Sequence, residues 1–227
     1  MYATKPVGLL NTTTEMQTCW LNSFCQLIVN IPDFVNHFLS MNPLEIKNKR
    51  LKLIYNLVRK FVFVPKKYYS LKHSRMARYD KNCFTAYIPS ELMEFLEMMN
   101  INIGEDNDAG FRLVDFLKQL NKLDPQIQNL IGFKTISPNE EVYQTSRTML
   151  FRINKEEVPS NYEYPLEGLR GILLFETVPC GHWNAFIRSM IDNKWRKFND
   201  QEVSIIENIQ DVQGRPEAII LCYDPKI

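Results

Sequence analysis

From Cys19 to Ile31 the apolar side chains fall at Trp20, Phe24, Leu27, Ile28 and Ile31, a three-or-four spacing that puts them on one face of a helix. Pro32 ends that run. A basic amphipathic stretch at Leu44–Val64 predicts a second helix, and Glu91–Met99 a third. Phe111, Val114, Leu117 and Leu120 repeat at helical spacing within Asp108–Leu123; acidic Glu105, Asp106 and Asp108 stand near its start, where the helix dipole favours negative charge. The second half changes character. Thr148–Ile153, Gly171–Val178, Ala185–Ser189, Lys194–Phe198 and Ala218–Tyr223 are short runs rich in Ile, Leu, Phe and Trp, set apart by Pro, Gly and Asn, and they predict strands. No internal repeat, low-complexity tract or flexible linker divides the chain. The expected organisation is one α+β domain over residues 1–227, with a helical lobe at 1–125, a sheet lobe at 126–227 and a site in the cleft between them.

Composition narrows the partners more than the fold. A chain of 227 residues can bury a sizeable core. Lys and Arg total 27 against 26 for Asp and Glu, so net charge points to neither nucleic acid nor an anionic membrane. No apolar run approaches the roughly 18 to 20 residues that span a bilayer, and MYATKPVGLLNTTTEM lacks the apolar core of a signal peptide. Five cysteines without a repeating frame read as reduced thiols rather than the staples of a secreted domain. The expectation is a soluble monomer in the cytoplasm, with the nucleus open as a second location.

Hydrolysis of an amide near neutral pH needs a nucleophile, a base and a group that orients the base. Cys19 stands at a predicted helix start, where backbone N–H groups and the dipole stabilise a thiolate; the alternative is a small core residue before Trp20. His182 lies in CGHWNAFIR, a glycine turn leading into a strand, and is one of three histidines. His73, in the basic stretch SLKHSRM, and His37, after the first helix, read instead as surface or packing residues. Downstream, WRKFND puts Asn199 just after a strand, where its side-chain oxygen can accept the imidazole N–H and fix the tautomer; the alternative is an Asn-Asp turn. Cys, His, Asn is the chain order of papain-like proteases.

The local sequences resemble the ubiquitin-specific protease family from Gly8 to Tyr223. GLLNTTTEMQTCWLNSFCQL is similar to its cysteine box, G-L-x-N-x-G-x-T-C-Y/W-x-N-S-x-x-Q, and GHWNAFIR to its histidine box, G-H-Y-x-A-Y. WRKFND followed by Val203 resembles the segment that supplies the third triad residue, AIILCY the closing strand, and DNDAGFRLVDFL, more weakly, an acidic box. The resemblance implies a papain-like fold in which a helical thumb packs on a β-sheet palm. It also implies Cys19 as nucleophile, His182 as base and then acid, Asn199 as orienter and Asp200 as an assisting carboxylate. The implied reaction is thiol-dependent hydrolysis after the C-terminal Gly of ubiquitin or a ubiquitin-like modifier, without metal or cofactor. Asp108, Gly181 and Trp183 are the implied substrate-binding residues.

Three departures from the family pattern bear on the chemistry. Three extra residues separate Gly8 from Cys19, so Thr14 stands where the family has its oxyanion-stabilising Asn; Asn11 and Gln17 are the other candidate donors. Phe111 takes the place of a family glutamate near Asp108, which as a bare helix-start residue has a structural alternative. Residues 124–168 hold no C-x-x-C pair, and Cys83 and Cys180 are isolated, so the zinc-bearing fingers common in the family are expected to be reduced or absent. Two other functions stay open: a catalytically impaired ubiquitin-binding scaffold, and a papain-like protease that cuts peptides or a polyprotein.

Overall fold

The computed structural model describes residues 7–9, 19–63, 84–87, 90–98, 100, 109–137, 140, 146–153, 163–176, 181–200, 202–212 and 219–224. At its centre is α1, Cys19–Ile28, of which every residue is buried, including Asn22, Ser23 and Gln26. The apolar stripe predicted for it is therefore half the account: one face meets the sheet, and the polar face is covered as well. Its helical geometry stops three residues before Ile31. There Asn30 Nδ2 donates to the Gln26 carbonyl at 2.7 Å, satisfying one of the acceptors orphaned at a helix end.

Pro32 does not end helical structure, as the sequence suggested, but begins it. It sits at the first position of α2, Pro32–Ser40, where its missing N–H is no loss and its fixed φ suits the helix. The basic amphipathic stretch becomes α3, Lys49–Val62, starting five residues later than Leu44 because the Asn48 side chain caps it, accepting from Arg50 N at 2.9 Å and Leu51 N at 3.3 Å. The third predicted helix is α4, Ser90–Met98, tied to α3 by ion pairs of Lys49 with Glu94 and Lys60 with Glu91. The fourth is α5, Ala109–Leu123. Phe116 on α5 meets Phe24 of α1 at 4.9 Å and Phe95 of α4 at 5.2 Å between ring centres. Truncating such a buried ring to Ala costs about 3 to 5 kcal/mol, so this cluster is what holds the helices together. A single further turn, α6, Ile127–Leu130, leads into the sheet.

Seven strands form that sheet, in the order β3-β4-β9-β5-β6-β7-β8, with β3 and β4 parallel and the other neighbours antiparallel. They are β3 Ile131–Ile136, β4 Thr148–Ile153, β5 Leu169–Glu176, β6 His182–Arg188, β7 Trp195–Asn199, β8 Glu202–Ile206 and β9 Ile219–Tyr223. Four of the five predicted strands keep their places with no end moved by more than three residues, and β4 keeps both ends. Two strands lacked the sequence signal: β3, where Gly132, Lys134 and Thr135 interrupt the apolar run, and β8, a short edge strand. A separate parallel pair joins β1, Val7–Leu9, to β2, Phe84–Tyr87, within the part of the chain expected to be helical.

Both faces of the sheet are covered, which is why its central strands read as continuous apolar runs. Leu150, Leu173, Trp183, Ala185, Ile187, Phe198 and Ile220 face the helices and share one core with α1 and α5. Phe151, Ile172, Leu174, Phe186, Leu221 and Tyr223 face the other way and pack under Tyr164, Ile209 and Val212. Among the described residues no helix is long and apolar enough to cross a membrane.

Candidate active site

Cys19 is the first residue of α1 and is 5% exposed. His182 is the first residue of β6, and the glycine before it takes φ 68°, the left-handed turn that aims the chain into the strand. Asn199 closes β7, the neighbour of β6, so the register brings the two side chains to one end of the sheet. There Asn199 Oδ1 stands 2.7 Å from His182 Nε2. An amide oxygen only accepts, so Nε2 carries the proton and Nδ1 is left as the basic nitrogen of the neutral ring.

Asp200 follows at the first position of the two-residue β7–β8 turn, with φ 49°. Its backbone carbonyl accepts from Leu9 N at 2.9 Å. One carboxylate oxygen accepts from Asn22 Nδ2 at 2.7 Å, and the other lies 3.8 Å from His182 Nε2. Asn22 is three residues beyond Cys19 on the same helix and is 2% exposed. Sequence alone does not single it out, because Ser23 and Gln26 are further polar positions of the same helix. Across the strand pair from His182 stands Glu176, whose carboxylate lies 3.5 Å from Lys197 Nζ.

The remaining candidates divide by placement. Gly181 is positioned by need of its missing side chain, since a Cβ there would sit 2.9 Å from the Phe175 ring. Trp183 is 3% exposed and packs against Phe175 at 5.3 Å between ring centres, on the helix-facing side of β6. Strand alternation turns it into the core, so it supports the strand rather than offering a surface to substrate. Asn11, Thr14, Gln17, Asp108, Cys83, Cys180 and His73 lie outside the described residues. His37 is in α2 and contacts Asp124 at 2.6 Å, within the helical layer and away from His182. Burial pushes the thiol of Cys222 up to about 12, and that of Cys25 higher still with help from the charge of Glu91, so both are inert core thiols.

Phe111 is exposed to 58% on the first turn of α5, and the Arg152 guanidinium lies 3.9 Å from its ring centre. Arg152 belongs to the row Arg152, Ile220, Leu173, Ala185, Phe198 that runs across five strands toward Asn199. The first turns of α1 and α5 therefore stand over the same end of the sheet, one tied there by Asn22 and the other by Phe111.

No sequence-family profile matches the chain, and no curated protein matches it in sequence. Solved structures do match in fold. Ubp8, in the SAGA DUB module bound to ubiquitin aldehyde, aligns with a TM-score of 0.60 at 12% identity, over 96% of this chain and 69% of that one. The same module bound to monoubiquitin gives 0.59 at 12% identity, over 96% and 68%. An essential yeast splicing factor gives 0.60 at 12% identity, over 96% and 69%. The chain thus has a mixed α+β fold like that of the ubiquitin-specific-protease-type deubiquitinase Ubp8.

Proposed function

We propose that the chain is a thiol-dependent deubiquitinase that cleaves the bond after the C-terminal Gly of ubiquitin or a ubiquitin-like modifier. The observation that carries this reading is the pairing of Asn199 with His182 Nε2 at 2.7 Å beside the start of α1, in a fold shared with structures that hold ubiquitin. In it the helices act as the thumb, the seven-stranded sheet as the palm, and the fingers are reduced.

His182 Nδ1 takes the Cys19 thiol proton, and the thiolate attacks the carbonyl carbon of the modifier's last glycine. The tetrahedral oxyanion collapses, His182 returns the proton to the leaving amine, and a thioester to Cys19 remains. Water, deprotonated by His182, then releases the carboxylate and restores the thiol. Asn199 holds the ring so that Nδ1 keeps its role throughout. On this reading the modifier's extended tail lies along the surface that carries exposed Phe111 and Arg152.

The test is turnover of ubiquitin carrying a fluorogenic C-terminal amide. Cys19→Ala and His182→Ala should abolish it with folding intact, and Asn199→Ala should be milder because Asp200 also faces the ring. Substantial hydrolysis by Cys19→Ala would refute the assignment. A second reading is a ubiquitin-binding scaffold of the same fold without catalysis, since the fold also occurs in an essential yeast splicing factor. A thiol-reactive ubiquitin C-terminal probe separates the two: capture at Cys19 supports the enzyme, and binding without capture the scaffold.

A further inference from the structure

We propose that Asn22 is a positioning residue that fastens the Asp200 carboxylate to the nucleophile helix, so that Asp200 stabilises the imidazolium of His182 opposite the Cys19 thiolate. The inference rests on the reading of Cys19 and His182 as a thiolate and imidazolium pair.

Cys19 and Asn22 are three residues apart on α1, so their side chains stand one above the other on the same helix face. That face meets the turn after β7. Asn22 Nδ2 donates to Asp200 Oδ1 at 2.7 Å, across 178 residues of sequence, and Asp200 Oδ2 is left facing His182 Nε2 at 3.8 Å. The backbone under the carboxylate is held separately, by the left-handed turn at Asp200 and by the Leu9 N–H on its carbonyl. With the main chain held there, the Asn22 amide fixes one oxygen of the carboxylate from the side of α1.

Asn199 and Asp200 then do different work on one ring nitrogen. The neutral amide of Asn199 accepts the Nε2 proton and orients the ring, but it brings no charge to balance the imidazolium formed when the thiol proton moves. Asp200 brings that charge, and an opposite charge within about 4 to 6 Å favours the protonated imidazole. Among the described residues, two carboxylates stand beside His182: Asp200 from the turn, at 3.8 Å, and Glu176, its register partner on β5. Glu176 already lies 3.5 Å from Lys197 Nζ, so its charge is offset locally. Asp200 is the carboxylate among these whose placement depends on the helix that carries the nucleophile. A shift of α1 would move Cys19 and the charge that stabilises its partner together.

The experiment reads Cys19 directly, so it does not need ubiquitin turnover. Iodoacetamide alkylation of Cys19, followed by peptide mass, is measured against pH for wild type, Asn22→Ala, Asp200→Asn and the double variant. Each single variant should lower the alkylation rate below neutral pH by about fivefold or more and move the acid limb of the profile to higher pH. The double variant should be no worse than Asp200→Asn alone, because both changes remove one interaction. With fluorogenic ubiquitin, kcat should fall about tenfold with KM little changed. An Asn22→Ala profile that superimposes on wild type, even with a lowered Tm, would reduce Asn22 to a packing residue and overturn the proposal. If Asn22→Ala does not fold, the nearly isosteric Asp200→Asn decides: an unmoved acid limb overturns the proposal as well. Wild-type protein that alkylates with the expected profile but never turns over ubiquitin would sink the deubiquitinase reading and leave this inference standing.

Discussion

Gly181→Ala should damage both stability and the site, by two separable routes. The residue takes φ 68°, and an L side chain in the left-handed region costs about 1 to 2 kcal/mol. The new Cβ would also stand 2.9 Å from the Phe175 ring, closer than real Cβ contacts come. Phe175 cannot retreat freely, because it packs on Trp183 at 5.3 Å, so this overpacking adds about 1 to 2 kcal/mol. The sum, about 2 to 4 kcal/mol, corresponds to a Tm loss of roughly 5 to 15 °C in a chain of this size. Calorimetry of Gly181→Ala, Phe175→Leu and the double variant resolves the two routes, since shortening the ring removes the contact and leaves the backbone cost. The coupling should be about 1 to 2 kcal/mol, with the remainder surviving in the double variant. Since His182 is the next residue, turnover should fall about tenfold in Gly181→Ala and recover in part when Phe175 is shortened. A single variant with wild-type Tm and activity would refute the reasoning. A zero coupling would refute its steric half.

Two further predictions address the β6–β7 hairpin and the oxyanion site. Arg196, with a side chain 2% exposed, donates to Asp192 in a bidentate pair at 2.7 and 2.6 Å, and these bonds hold the Asp192 carboxyl well below the usual carboxylate range. With Asp192 itself 30% exposed, Asp192→Ala should cost about 1 to 3 kcal/mol, read from urea unfolding at neutral pH. Because the folded-state value is depressed, the contribution is fully present above the unfolded value of about 4 and is lost as pH falls through the folded one. The gap between wild type and variant should accordingly close in strong acid, and a gap independent of pH would contradict the ion pair. At the oxyanion site, Asn11→Ala should lower kcat at least about tenfold with little change in KM, while Gln17→Ala does much less. The reverse order would move the donor to Gln17, and two near-silent variants would leave it to backbone groups.

Local sequence determined the helices and strands whose apolar period is long and uninterrupted: α1, α3, α4 and α5, and the central strands β4, β5, β6, β7 and β9. It could not see α2, because a proline reads as a helix stop although Pro32 opens one, nor β3, whose Lys and Thr are acceptable only at a sheet edge beside β4. Cys19, His182 and Asn199 were legible as candidates because each lies in a short, distinctive local sequence, at a helix start, a glycine turn and a strand end. What the tertiary structure alone decided is how those pieces face one another. Periodicity reports which face of an element is apolar, but nothing about what covers it. The family resemblance implies Trp183 as a substrate-binding residue, whereas alternation along β6 sends it into the core, 3% exposed. Only the approach of the β7–β8 turn gives the Asn22 amide a carboxylate to hold. Phe111 looked like a lost charge until β4 brought Arg152 over its ring. Each of these contacts joins residues distant in the chain, and their geometry follows from how the helices pack on the sheet, which no local window of sequence contains.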